Sequence, residues 1–160
     1  YDAVVASQVI EHVHDPVDFV NCCKKLLKLG GSLFLLTPDY NSQLRQKYPE
    51  KWLNWHIPYH RYYFSENSIR ILSQKTGMQI TRLVHKNPFY WEMLQTRMIR
   101  KVFKTGEKTD IFKGNFRKTE KIKAFMQSWI KYLKGSGESM IIEMKALEEK
   151  TCSLHLRSQL

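Results

Sequence analysis

Apolar positions change period several times along the chain, and each change predicts an element. Residues 2–6 are small or β-branched without alternation, the pattern of a strand covered on both faces, and Ser7 and Gln8 close it. Asp15 is placed to cap a helix that begins at Pro16. Its apolar residues Phe19, Val20, Cys23, Leu26 and Leu27 recur at helical spacing, and Gly30 and Gly31 end it. Residues 32–37 read as a second strand, apolar on both faces from Leu33 to Leu36, and stop at Pro38. Strand, crossover helix and strand make a parallel, right-handed unit. Its strand ends at Ser7 and Pro38 share the sheet edge at which open α/β sheets bind ligands.

Residues 40–63 lose periodicity and crowd Trp52, Trp55, His56, Tyr59, His60, Tyr62 and Tyr63 beside Pro49 and Pro58, as a loop packed over a site would. Ser65 then caps a helix with Ile69, Ile71 and Leu72 expected inward, Phe64 stapling on Ile69, and Gly77 at its end. Residues 78–84 form a third strand. Residues 88–104 and 119–134 read as amphipathic helices joined by 105–115, the second with Ile122, Phe125, Met126, Trp129, Ile130 and Leu133 on a stripe expected to pack on the sheet. Residues 139–145 are the last strand candidate, and 147–160 a polar tail. One domain is expected over 1–146.

Composition changes this picture little and charge somewhat more. The 160 residues are 42% hydrophobic and 12% aromatic, which argues against disorder. No apolar run approaches the roughly 20 residues of a membrane span. Three cysteines, Cys22, Cys23 and Cys152, form no metal-ligand spacing and suit a reduced, cytoplasmic setting. The net charge of +11 is concentrated, residues 97–134 holding twelve Lys or Arg against three acids. Such a segment attracts nucleic acid or anionic lipid, or is simply a solvated face.

The stretch YDAVVASQVIEHVHDPVDFVNCCKKLLKLGGSLFLLTPD carries Glu11-His12, Asp15-Pro16, Gly30-Gly31 and Thr37-Pro38 in order. It resembles the fourth strand, helix and fifth strand of class I S-adenosylmethionine-dependent methyltransferases of the small-molecule, ubiquinone-pathway type, usually "FDxVxxxxVLEHVxDPxxFLxxxxRLLKPGGxLxxxTPN". A second block, HRYYFSENSIRILSQKTGMQITRLV, is similar to the family's next helix and sixth strand, and GSGESMIIEMKA to its seventh, which implies that 88–134 is a variable helical insertion. Leu29 departs from the family Pro. The resemblance implies an α/β fold: part of a Rossmann-like open sheet, parallel strands with a final antiparallel strand, and helices on both faces. The family's Gly-rich cofactor turn and ribose-binding acid would lie upstream of Tyr1. The 160 residues alone are therefore expected to be an inactive C-terminal half with a bare strand edge prone to pairing.

The resemblance further implies methyl transfer from S-adenosylmethionine to a small-molecule or lipid-like acceptor, with Ser7, Gln8 and Val9 along the cofactor. Glu11, His12 and His60 are the candidates to take the acceptor's proton. Glu11 and His12 equally suit a junction role, bonding backbone groups. Trp52, Trp55 and Tyr59 would favour a planar or apolar acceptor, and Asp39 and Asn41 are placed to touch it, whereas His14 reads as a surface residue and His85 has no constellation around it. Related ubiquinone-pathway and small-RNA 2'-O-methyltransferases carry Glu, two residues, Glu, His as a metal site. Here the first acid is Gln8, and no metal is expected of the reduced set Glu11, His12 and His60. The rival reading is a non-catalytic module that holds nucleic acid or anionic membrane through 97–134.

Overall fold

The computed structural model describes residues 1–87, 89–90, 93–94, 97 and 116–146, with Tyr132 described for its backbone only. The elements are β1 (Ala3–Ser7), α1 (Pro16–Leu26), β2 (Ser32–Pro38), α2 (Gln43–Lys47), α3 (Glu66–Thr76), β3 (Met78–Lys86), α4 (Lys118–Leu133) and β4 (Ser139–Ala146). They form an α/β unit with one open four-stranded sheet, ordered β1-β2-β4-β3. β1 and β2 pair in parallel, as the crossover helix requires. The final strand does not add at the edge but inserts between β2 and β3, antiparallel to both.

Local signals set the helix ends. The Asp15 carboxylate accepts the amides of Val17 and Asp18, and Pro16 takes the first helical position. Ser65 and Ser68 exchange capping bonds around the start of α3, and Gly77, at φ +61°, closes it in a conformation that favours glycine.

Register decides the core. Leu33 lies opposite Met144, Leu35 opposite Ile142 and Thr37 opposite Met140. These side chains share one face and are buried with Val20 and Cys23 of α1 and Ile69 and Leu72 of α3. The opposite face is less covered. Phe34, Leu36 and Ile141 are half-buried, and Val5 on the edge strand is 66% exposed. The expectation that β1 is covered on both faces therefore fails among the described residues: Val4 and Ala6 face the core with Leu33 and Leu35, while Val5 lies on the open face with Phe34. In β3 a bulge between Ile80 and Arg82 shifts the alternation by one, so that Leu83 meets Ile142 and His85 meets Met140.

Three other expectations are corrected. Ile71, expected inward, is exposed, as is Leu26 of the helically spaced set in α1, since α1 and α3 bury narrow stripes against each other and the sheet. The segment after β2 is not wholly irregular: it holds α2, capped by Ser42, and two short 3₁₀ turns. The apolar stripe of α4 faces solvent, Ile122, Phe125 and Leu133 being 60%, 60% and 68% exposed. What α4 buries instead is Ala124, with Ser128 donating to the carbonyl of Asn87 and Lys131 approaching Glu138 at 3.9 Å. Most of the helix expected over 88–104, the 105–115 linker, Cys152 and the tail from 147 lie outside the described residues, as do positions 98–115 of the basic segment.

Candidate active site at the strand ends

Beyond β1 the chain turns sharply. Gln8 adopts φ +55° and its amide donates to the Leu36 carbonyl at 2.9 Å; the His12 amide then closes a turn on Val9. Ile10 and Glu11 are driven inward by this turn, to 0% and 1% exposure, while Ser7, Val9 and His12 stay on the surface. The three residues expected along the cofactor thus form an open ledge: a hydroxyl, an amide side chain and an apolar residue. That combination fits the edge of a nucleoside, which needs stacking surface and a few polar groups.

The aromatic loop folds back onto this turn. The amides of Arg61 and Tyr62 both donate to the Glu11 carbonyl, and the Tyr62 hydroxyl donates to the His14 carbonyl. His12 Nδ1 lies 2.9 Å from the Tyr59 carbonyl and His60 Nδ1 2.8 Å from that of Asn54. A carbonyl only accepts, so each Nδ1 carries hydrogen and each Nε2 is left with its lone pair when the ring is neutral. The two rings meet edge to face at 4.7 Å.

Glu11 completes the group. Thr37, at the end of β2, donates its hydroxyl to Oε2 at 3.1 Å, whereas Oε1 is buried and has no hydrogen-bond partner. Burial pushes this carboxyl up, against its backbone hydrogen bond, the Thr37 hydroxyl and the nearby His12. Burial likewise pushes His60 down, with His12 and His56 adding to the effect and the Asn54 bond opposing it. One donor atom each from Glu11, His12 and His60 lies within 4.8 Å of the others. The three candidate catalytic residues are therefore brought together, and their convergence is tighter than so reduced a ligand set suggests. An orphaned buried oxygen beside two oriented imidazoles fits a divalent cation.

Other candidates are placed elsewhere. Trp52 is 2% exposed and donates from Nε1 to Glu138 Oε2 at 3.2 Å, so it forms the floor of the loop with Tyr40, Trp55 and Tyr63 rather than an acceptor surface. Tyr59, 66% exposed, does face outward. Asp39 is also buried, one oxygen holding the Asn41 amide and the other His85 Nδ1 at 3.0 Å. His85 has a constellation after all, between Asp39 and Glu66. Sequence reasoning missed that pair and the buried Glu138, because Asp39 and His85 meet from the ends of β2 and β3 and Glu138 bonds Leu44 and Trp52 far back in the chain.

Residues 1–83 match a family model described as "Methyltransferase domain". Over 106 residues the chain is 31% identical to the ubiquinone biosynthesis O-methyltransferase, mitochondrial, of Homo sapiens, covering 57% of this chain and 27% of that protein. Over 37 residues it is 57% identical to the Rattus norvegicus protein of the same name and 51% identical to the ubiquinone biosynthesis O-methyltransferase of Caulobacter vibrioides. These matches cover 23% of this chain and 11% and 15% of those proteins. The chain thus spans about a quarter or less of the length of these relatives. An S-adenosylmethionine-dependent methyltransferase from Thermotoga maritima shares the fold with a TM-score of 0.53 at 18% identity, over 91% of this chain and 56% of that one.

Proposed function

Because the chain belongs to the family of methyltransferase domains, we propose that it forms the acceptor side of an enzyme that moves a methyl group from S-adenosylmethionine to a hydroxyl of a small-molecule or lipid-like acceptor. The observation that carries this reading is the convergence of Glu11, His12 and His60 at the sheet edge, next to the ledge of Ser7, Gln8 and Val9. Oxygen as the methylated atom is supported by the names of the relatives, all O-methyltransferases.

When bound, S-adenosylmethionine supplies both the electrophilic methyl and its own leaving group, so the protein has only to align the partners, exclude water and take up the proton. His60 suits the last task. Its burial keeps the ring neutral, its Nδ1–H is tied to Asn54, and Nε2 is free to accept the hydroxyl proton. The resulting imidazolium would sit against the Glu11 carboxylate. Thr37 positions that carboxylate, and the bonds from Arg61 and Tyr62 to the Glu11 carbonyl hold the two loops at one spacing. A divalent cation on the same three donors would do this work instead, lowering the pKa of the acceptor hydroxyl by binding its oxygen.

The test is transfer of a labelled methyl group by the full-length protein to hydroxylated aromatic acceptors. His60→Ala should lower kcat by about 10²- to 10⁴-fold with cofactor affinity retained, and His85→Ala should not. Transfer to nitrogen alone, or a His60→Ala enzyme of full activity, would refute the reading.

One observation favours a further partner. Lysines at 118, 121, 123 and 134 flank the exposed stripe of α4, the arrangement of a helix that lies on an anionic lipid surface. Vesicle co-sedimentation that fades as salt rises would support it. No described helix is long and apolar enough to cross a membrane. A reducing, cytoplasmic location is part of the same proposal, supported by free Cys22 and Cys23. Cell fractionation tests it against the mitochondrial placement in the names of two relatives.

A further inference from the structure

We propose that Glu138 is a positioning residue of the acceptor site: it clamps the loop that orients His60 to the start of β4 and to α4, so that the docking of α4 is felt at the imidazole. The inference rests on the reading of His60 as the group that takes the acceptor's proton.

Glu138 lies outside the cluster of Glu11, His12 and His60 but on the same edge of the sheet, one residue before Ser139, which pairs with Pro38. Its buried carboxylate gathers groups from three elements. Trp52 of the aromatic loop donates from Nε1 to Oε2 at 3.2 Å, the Leu44 amide of α2 donates to Oε1 at 3.4 Å, and the Ser42 hydroxyl adds a further bond. Lys131 of α4 approaches Oε1 at 3.9 Å. The backbone is fixed as well. The Glu138 amide donates to Asn87 Oδ1, the Asn87 carbonyl accepts the Ser128 hydroxyl of α4, and the Asp39 amide donates to the Glu138 carbonyl. A buried indole N–H needs an acceptor, and Trp52 is 2% exposed, so the bond to Glu138 decides where that ring sits.

From Trp52 the tether reaches His60 in two steps. Trp52 precedes the 3₁₀ turn Leu53–Trp55, and Asn54 within that turn supplies the carbonyl that His60 Nδ1–H bonds at 2.8 Å. His12 depends on a different anchor. Its carbonyl partner belongs to Tyr59, close in the chain to Arg61 and Tyr62, whose amides hold the Glu11 carbonyl. The loop thus has two pins, Glu138 for His60 and the Glu11 turn for His12. The ledge of Ser7, Gln8 and Val9 runs into the Glu11 turn, so loosening the first pin should leave cofactor affinity alone. Without that pin the Asn54 carbonyl moves, and His60 is no longer held to one tautomer. With hydrogen on Nε2 it would present a donor to the acceptor hydroxyl where a lone pair is needed. Such a chain of contacts is a coupling route only where perturbing one end moves the other.

The experiment uses the full-length protein and two readouts. One is kcat and KM for methyl transfer to a hydroxylated aromatic acceptor, catechol being the probe. The other is the tautomer of His12 and of His60 in NMR spectra of isotope-labelled histidine at about pH 8, above the ordinary imidazole range. Glu138→Leu, and Trp52→Phe, which keeps a ring but removes the N–H, should each lower kcat about 10- to 100-fold with KM for S-adenosylmethionine unchanged. In both, His60 should shift from Nδ1–H toward Nε2–H while His12 keeps its tautomer. Glu138→Gln retains an oxygen for the indole and should restore most of the kcat lost in Glu138→Leu, staying only severalfold below wild type. Lys131→Met should give a similar severalfold loss alone and no further loss in Glu138→Gln, since both remove the same contact. Wild-type kcat and an unchanged His60 tautomer in folded Glu138→Leu overturn the proposal; should that variant fail to fold, the same result in the milder Trp52→Phe does so. An equal tautomer change at His12 and His60 also overturns it, because that is general loosening. Losses that multiply in the Lys131→Met, Glu138→Gln double variant overturn the link to α4. The tautomers are read without methyl transfer, so an inactive protein whose His60 tautomer follows Glu138 counts against the proposed reaction and not against the positioning role.

Discussion

Glu138 shows what a single buried carboxylate does in this fold. It accepts hydrogen bonds from the Leu44 amide and Trp52 Nε1 and approaches Lys131, so it ties the aromatic loop to the start of β4 and to α4. Burial outweighs these partners and pushes its carboxyl up from the ordinary value of 4.5. Between that value and the higher folded one, the native protein holds a proton that the unfolded chain has released. Stability therefore falls as pH rises through that window and is level above it. In Glu138→Gln this decline should be smaller than in the wild type, Glu11, raised in the same sense, supplying the remainder. Urea unfolding at intervals from about pH 4 to 8 measures it, since all other titrations are common to both proteins. Identical pH slopes would contradict the assignment. Such residues are illegible in sequence: nothing around Glu138 announces Trp52, 86 positions away. Glu11 and His12 are legible as a pair, because they follow a strand tip. The partners that give them meaning, Thr37 and the Tyr59 carbonyl, are not.

Elements follow local chemistry at their ends and distant packing along their lengths. The Asp15-Pro16 start of α1 and the Ser65 and Gly77 limits of α3 are readable because a cap is made within a few residues. The insertion of β4 between β2 and β3, the β3 bulge and the outward stripe of α4 are not, since each depends on a partner far along the chain. Gly137 marks the most constrained of these junctions. A Cβ there would fall 2.5 Å from the backbone N, C and O of Lys86, where β4 begins against the end of β3. Gly135, two residues earlier, has φ +62° but nothing within 4 Å. Gly137→Ala should cost about 2–3 kcal/mol through forced backbone movement. Gly135→Ala should cost only about 1 kcal/mol, for its conformation. Denaturant midpoints that reversed this order would show that the β3–β4 junction yields more easily than its backbone spacing implies.

At the scale of the whole molecule, the fold leaves two apolar or unpaired surfaces that its own described residues do not cover. One is the outer edge of β1, where Val5 is 66% exposed and the strand pairs only with β2 among the described residues. The other is the α4 stripe, with Phe125 at 60% and Trp129 at 55% exposure. An uncovered edge templates strand pairing, and contiguous exposed aromatics favour association. Neither surface contributes to the core, so changing them should leave stability within about 0.5 kcal/mol. The 160-residue chain on its own should associate as its concentration rises, measured by sedimentation velocity. Val5→Lys should weaken that association by placing a charge on the edge. Phe125→Glu with Trp129→Glu should weaken it by breaking the stripe, and the three changes together should give a monomer. A wild-type chain that stays monomeric at high concentration would show that both surfaces are better tolerated by water than their exposure implies. Association that persists in the triple variant would place the contact elsewhere. The two surfaces are separable from the acceptor site, because neither includes Glu11, His12 or His60.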